Sequence, residues 1–431
     1  MNLIPLLIVF ILFMLNVPIG FALIGGSMTY FLFMSNNMPP QFVLQNFISG
    51  IESFPLLAIP FFIFAGVIMN YSGISKRLMH FADLLVGHLP GGLGQVNVVL
   101  SALMGGISGS ANADAAMQCK ILVPEMEKRG FGKAFSAAIT AASSALTPVI
   151  PPGINLIVYA LIASCSVGRM FAAGYLPGLL MTLSLMITVH IISKKRNYGT
   201  TRMRAASPVE IGKQALDSLW ALLFPFGIVL GLRIGLFTPS EAGAIAVLYC
   251  IIVGKFVYKE LKKEHIVPII LETVYGTSTV VFIIVAASVF GYYLNWQRIP
   301  QTMTTWLLGI TQNKYVMLII FNVVLLVGGM FLEGGALIII LAPLLVPVIT
   351  QLGVDVIHFG LICIVNIMIG GLTPPFGSMM FTCCGITGCK LEAFIKEVYP
   401  FIVALLVSLI LITYIPQIAL VVPNLIYGAA G

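Results

Sequence analysis

Apolar residues run along this chain in blocks long enough to cross a bilayer, and polar residues collect in the gaps. Blocks near 3–35, 54–72, 134–162, 170–192, 216–236, 240–254, 266–294, 303–325, 357–385 and 399–422 predict membrane helices. The first is too long for one span and Pro18 interrupts it, which predicts a pair of short spans or one broken long helix. Residues 74–95 read as an amphipathic arm followed by the loop HLPGGLG. Two stretches violate the pattern. From Met104 to Gly153, Gly, Ser, Asn and Asp stand inside apolar sequence (GGISGSANADAA) and a Pro-Pro pair follows (TPVIPPG). Further on, GGMFLEGGALIIILAPLLVPV is followed by GGLTPPFG. Non-helical backbone at membrane depth persists only where it is buried in protein or lines a polar cavity. Both stretches therefore predict a binding site for something hydrophilic.

Only 9% of the residues are charged, against about 25% in soluble domains, so the chain reads as a polytopic α-helical membrane protein of the cytoplasmic membrane. The opening MNLIPLLIVF lacks a basic n-region and a small-residue cleavage motif and is read as a first membrane helix. The net charge of +7 follows membrane topology, since basic residues concentrate in loops that stay in the cytoplasm. No dense basic face with interleaved aromatics points to nucleic acid. Cys119, Cys165, Cys250, Cys363, Cys383, Cys384 and Cys389 lack metal-ligand spacing and read as small buried hydrophobes. The five histidines are scattered and take no role.

The two halves match at a fixed shift in residue number. Adding 223 carries Gly105 and Gly106 onto Gly328 and Gly329, Pro124 onto Pro347, Gly130 onto Gly353, Pro151-Pro152 onto Pro374-Pro375, and Pro177 onto Pro400. Gly20 falls on Gly243. Helix breakers aligned without a gap from Gly105 to Pro177 indicate an internal duplication: residues 1–193, a basic cytoplasmic linker 194–215, and residues 216–431. The loop after the first unusual hairpin carries Lys128, Arg129 and Lys133, whereas its partner QLGVDV carries no basic residue. The two hairpins then enter from opposite sides. The fold class expected is an all-α inverted-topology repeat with re-entrant hairpins at about 96–130 and 326–352 and broken helices at about 134–162 and 357–385, an architecture shared with secondary transporters.

A proline inside a helix frees the carbonyl four residues earlier. Pro151 and Pro152 are expected to free Thr147 and Pro148, and Pro374 and Pro375 to free Gly370 and Gly371. A small hard cation coordinated by oxygen satisfies such carbonyls, with Ser108, Ser110 and Thr373 as candidate hydroxyl ligands. Each hairpin tip is expected to pack against the broken helix of its own copy. The half-helices restarting after the tips aim positive N-terminal ends at one cavity, which suits an anion. Asp114 caps a restarting half-helix, pairs with Lys120, or serves the site. Glu333, an intramembrane acid without a sequence-local partner, is read as functional. Asn112, Asn155 and Asn366 contact substrate or bridge helices.

These motifs, with ILVPEMEKRGF and FTPSEAGA, make the chain resemble, over essentially its full length, the large membrane subunit of tripartite ATP-independent periplasmic (TRAP) transporters, the DctM-like family. The resemblance implies an elevator: a scaffold plus a mobile transport domain holding the hairpins and broken helices. It implies no cofactor beyond Na+ as coupling ion, uptake of an organic acid anion, a periplasmic solute-binding protein and a small DctQ-like membrane subunit. Carried onto matching positions, one sodium site uses Ser108, Thr147, Ile150 and Pro152, and the other Gly329, Gly370, Thr373 and Pro375. Substrate lies near Ser110, Asn112 and Glu333. The chain departs from many relatives in having Thr147 where they place Gly, and Gly334-Gly335 after the acid where they place Pro-Thr. Three other readings compete. Gly106-Ile107-Ser108-Gly109 matches the GxSG of rhomboid-type intramembrane proteases, with His190 in a later span, but that leaves the duplication unexplained. A dicarboxylate transporter that works without a binding protein is the second, and a channel, which saturable uptake at slow turnover would argue against, is the third.

Overall fold

The structure, a computed structural model, describes residues 3–15, 17–34, 45, 47, 48, 52 and 54–428, with the side chains at 54, 55 and 106–108 excepted. All regular structure among the described residues is helical. At the N-terminus, α1 (Ile4–Met14) and α2 (Ile19–Thr29) are a pair of short helices hinged at Pro18, as the interrupted run predicts. Next come α3 (Ala58–Tyr71) and α4 (Ile74–Val86), which meet at 70°. Gly73 makes this bend with a positive φ of 78°, which favours glycine. The amphipathic arm expected at 74–95 is α4.

The first unusual stretch folds as a helical hairpin, α5 (Gly92–Ser108) and α6 (Ala111–Lys128), joined at Gly109-Ser110. A helix broken at its prolines follows, α7 (Lys133–Ser144) and α8 (Ile154–Ile162), and then the long α9 (Val167–Arg196). A polar linker leads to α10 (Pro208–Asp217), α11 (Leu219–Arg233), α12 (Pro239–Ile252) and α13 (Ile266–Trp296). After α14 (Ile299–Ile310), the second hairpin is α15 (Lys314–Phe331) and α16 (Gly334–Gln351). The second broken helix is α17 (Val356–Gly370) and α18 (Ser378–Thr387), and α19 (Leu391–Tyr414) and α20 (Gln417–Tyr427) close the chain. Adding 223 carries α6 residue for residue onto α16. Both Pro-Pro bonds, at 151–152 and 374–375, are cis.

Two expected spans are corrected. The run at 303–325 is not one helix: Thr311-Gln312-Asn313 interrupts it, and the Asn313 side chain accepts from Tyr315 N at 2.9 Å to start α15. The run at 399–422 is divided at Ile415-Pro416. Among the described residues, six helices are long and apolar enough to cross a membrane, or up to eight if each sharply bent pair counts as one span.

The packing exchanges elements between the halves. α2 lies on α13, and its counterpart α12 lies on α3. Gly20 and Gly243 sit at these two crossings, where an added Cβ would come within 2.4 Å of the Phe282 ring and 2.8 Å of Phe61 Cβ. The same exchange recurs deeper. α8 packs on the second hairpin arm α16, and α18 packs on the first hairpin arm α6. The expectation that each hairpin meets its own broken helix thus holds for α5 with α7 and α15 with α17, while the second half of each broken helix crosses to the other copy.

Buried polar links fix both hairpins to α7 and α17. Asn97 on α5 donates to Thr140 Oγ1 at 2.8 Å and accepts from Ser143 Oγ at 2.6 Å. In the second half, Asn366 donates to Asn322 Oδ1 on α15 at 2.7 Å. The repeat shift carries Ser143 onto Asn366, so one register position bridges helices in both copies. That settles Asn366 as a bridge between helices.

Candidate ion and substrate site

The tip of the first hairpin lies directly on the first break. A Cβ added to Gly105 would stand 2.7 Å from Ile150 Cβ, and one added to Gly109 3.3 Å from Pro152 O. In the second copy Gly329 faces Gly370 so closely that a Cβ on Gly370 would lie 2.6 Å from Gly329 Cα. The structure therefore brings Thr147, Ile150 and Pro152 to one tip, and Gly329 and Gly370 to the other. Ser108 ends α5 at the first tip, and its side chain lies outside the described part.

The two breaks leave different carbonyls without donors. Among the described residues, no N–H donates to the carbonyls of residues 147–152 in the first break. This agrees with the expected freeing of Thr147 and Pro148. In the second break the expectation is corrected: Thr373 N donates to Gly370 O at 2.9 Å, and Met379 N to Gly371 O at 3.1 Å. The carbonyls left without a backbone donor are those of residues 372–376. A tight turn at Gly370-Gly371 reuses the two oxygens that the prolines release. The Thr373 hydroxyl donates to Ile369 O at 2.8 Å, and its oxygen lone pairs remain open. Thr147 Oγ1 is buried beside the Asp114 carboxylate and, among the described residues, has no partner at hydrogen-bonding geometry. The breaks also differ in shelter: Pro151 and Pro152 are buried, whereas Pro375 is exposed.

Between the tips lies a cavity of about 90 Å³ that Ser110, Asn112 and Glu333 all line. First-turn residues of four helices reach it: Asn112 of α6, Asn155 of α8, Gly335 of α16 and Ser378 of α18. Four helix starts thus present unpaired N–H groups and positive dipole ends to one small volume. Ser110 caps α6, accepting from Ala113 N at 3.5 Å, and Glu333 occupies the matching position before α16 without a side-chain cap bond. Asn112 Oδ1 is buried and has no hydrogen-bond partner among the described residues. Asn155 is 8% exposed, lines the cavity and makes no hydrogen bond among the described residues. No basic side chain lines the cavity, and Val280 and Ile283 of α13 close one wall. Of these, Ser378 and the α13 wall were not expected. The register did hold the first, because the repeat shift carries Asn155 onto Ser378. Nothing local in the sequence marks the second.

Asp114 takes neither expected local role. Ser110 is the cap of α6, and Lys120 is exposed and makes no ion pair among the described residues. Asp114 is 1% exposed and is not among the residues that line the cavity; its carboxylate lies beside Ser144 and Thr147 of the first break. It accepts from Ser101 Oγ at 2.9 Å and from Gln118 Nε2 at 2.8 Å, tying the two arms of the first hairpin together. The counterpart of Asp114 is Leu337, so the second hairpin is held by apolar packing instead.

The profile described as "Tripartite ATP-independent periplasmic transporter, DctM component" matches residues 6–418. The chain belongs to this family. It is 37% identical over 413 residues to the sialic acid TRAP transporter large permease protein SiaM of Vibrio cholerae, covering 96% of each chain. It is likewise 37% identical to the C4-dicarboxylate TRAP transporter large permease protein DctM of Pseudomonas aeruginosa, covering 93% of each. With the sialic acid TRAP transporter permease protein SiaT of Haemophilus influenzae it shares 36% identity, over 98% of this chain and 68% of that one. Among solved structures, the Alcanivorax borkumensis YdaH transporter, described as having an unusual topology, superposes with a TM-score of 0.59 at 14% identity. It covers 95% of this chain and 97% of that one, and the likeness is one of fold. These named relatives are transport proteins and not enzymes. The TRAP large permease described here is accordingly a multi-pass protein of the cytoplasmic membrane that serves solute uptake.

Proposed function

We propose that this TRAP permease couples inward sodium movement to uptake of an organic acid anion, delivered by a periplasmic solute-binding protein and with a small DctQ-like membrane subunit completing the complex. The supporting observation is the pairing of free carbonyls with helix starts. Residues 147–152 and 372–376 offer oxygens without backbone donors beside glycine-lined tips, while four N-termini converge on the cavity between them. Oxygen-rich breaks suit a small hard cation and N–H-rich helix starts suit a carboxylate. In this reading Ser108, Thr147, Ile150 and Pro152 hold one sodium ion, and Gly329, Gly370, Thr373 and Pro375 the other. Substrate lies between Ser110, Asn112, Asn155 and Glu333. The charge asymmetry of the hairpin loops supports an inverted repeat, and the hairpins and broken helices then form the moving part of an elevator.

The reading is tested in proteoliposomes holding the complete complex, with and without the binding protein. Uptake should require an inward sodium gradient and the binding protein. Ser108→Ala should raise the sodium concentration for half-maximal uptake several-fold while thermal stability is unchanged. Wild-type sodium activation in that variant removes Ser108 from the first site. Glu333→Gln should alter substrate affinity or sodium coupling, read from uptake kinetics at saturating sodium. Unchanged kinetics return Glu333 to a purely structural position before α16.

A further inference from the structure

The linker between the halves carries a surface that the transport site does not use. Its helix α10 is set by a capping box: Ser207 Oγ accepts from Glu210 N at 3.2 Å, Glu210 accepts from Ser207 N at 2.8 Å, and Pro208 opens the helix. These local bonds start the helix independently of tertiary packing. α10 meets α11 at 69°. Where α11 runs along the membrane normal, this bend sets α10 close to the membrane plane.

One side of α10 faces protein. It packs on α4, and Ser218, just past its end, donates to Arg77 O at 3.3 Å. Asp217 lies 3.7 Å from the Arg77 guanidinium, which also pairs with Glu260 at 2.9 Å and sits over the Tyr258 ring. The other side is bare. Val209 is 79% exposed and Leu216 69%, and Lys213 is exposed between them on the same helical stripe. Lys213 makes no ion pair among the described residues, and neither do Lys194 and Lys195 at the end of α9. From 194 to 213 the chain has six basic residues and one acid.

We infer that α10 is a membrane-surface helix that binds anionic phospholipid of the cytoplasmic leaflet, inserting Val209 and Leu216 among the acyl chains and placing Lys213 at the phosphate level. Two observations select lipid as the occupant. The bare stripe is followed along the chain by exposed apolar residues of α11, among them Leu219, Leu223 and Leu230. The cations lie at the rim, in the arrangement that recruits acidic headgroups to interfacial helices. α10 is locked to α4 through Arg77, and α4 packs on the hairpin arm α5, so lipid held there steadies the base of the first hairpin.

The test uses the complete transporter complex in liposomes of phosphatidylcholine with phosphatidylglycerol. Val209→Cys is labelled with an environment-sensitive fluorophore, and the signal of the same protein without that substitution is subtracted. Doxyl-labelled phosphatidylglycerol should quench the label more strongly than doxyl-labelled phosphatidylcholine, and aqueous iodide only weakly. Adding Lys213→Gln should lower the preference for phosphatidylglycerol by up to about fivefold, the equivalent of one headgroup-level cation. Strong iodide quenching with no lipid quenching overturns the proposal, because the stripe is then in water. Equal quenching by the two lipids overturns the headgroup preference. Protection from all three quenchers assigns the stripe to a protein partner and overturns lipid as the occupant.

Discussion

Replacing Gly370 with alanine is expected to abolish sodium-driven uptake. A Cβ at this position would stand 2.6 Å from both Cα and C of Gly329 and 2.8 Å from Leu326 O. All three are backbone atoms, so no side chain can rotate away and α15 must shift against α17. Overpacking of this kind costs about 1–3 kcal/mol where a core can adjust. The functional loss should exceed that, because the contact lies between the second hairpin tip and the second break. A displacement of tenths of an ångström there pulls Gly329 away from Thr373 and the free carbonyls. In proteoliposomes Gly370→Ala should raise the half-saturating sodium concentration more than tenfold or eliminate uptake, while the protein still purifies as a folded complex. Gly385 in the adjacent α18 is the control, since nothing lies within 4 Å of a Cβ added there. Gly385→Ala should transport normally. Wild-type sodium activation in Gly370→Ala would show that the second site is elsewhere.

Asp114→Ala is expected to destabilise the first hairpin. The change leaves Ser101 Oγ and the Gln118 amide without their buried acceptor. The Gln118 amide keeps Ser101 Oγ as an acceptor at 2.6 Å, so the main cost is the orphaned Ser101 hydroxyl, on the order of 1–3 kcal/mol. Thermal unfolding of the purified complex should show a clear fall in Tm, with Asp114→Asn falling less because its amide oxygen still accepts. Since Asp114 does not line the cavity, substrate affinity measured on surviving folded protein should change little. An unchanged Tm in Asp114→Ala would mean that the buried carboxylate does not hold the hairpin arms together. The sequence permitted three roles for this residue, and its partners decide among them. Ser101 and Gln118 are ordinary residues whose convergence on Asp114 requires α5 and α6 to fold back on each other.

How much of the site was legible follows the range of the interactions involved. The hairpin tips were legible because Gly and Ser inside apolar runs are a local signal, and the breaks because a Pro-Pro pair removes two helical hydrogen bonds wherever it stands. The donor pattern of the breaks was half legible. Proline chemistry alone accounts for Thr147 and Pro148, but at Gly370 and Gly371 the flexible glycines turn the chain so that Thr373 N and Met379 N take the released oxygens. Spans at 303–325 and 399–422 were overdrawn because an apolar average passes over short interruptions such as Gln312-Asn313 and Ile415-Pro416.

The sequence by itself determined the class of fold, the duplication with its register, and the places where helices must stop inside the membrane. These are properties of composition, of periodicity and of residues that cannot continue a helix. Only the tertiary structure decided that α8 and α18 change places between the halves, so that four helix starts rather than two meet at Ser110, Asn155, Glu333 and Ser378. It also withdrew Asp114 from that cavity and closed one wall with α13. Such contacts join residues far apart along the chain, and they are set by which apolar and small faces fit together, which no local pattern of residues records.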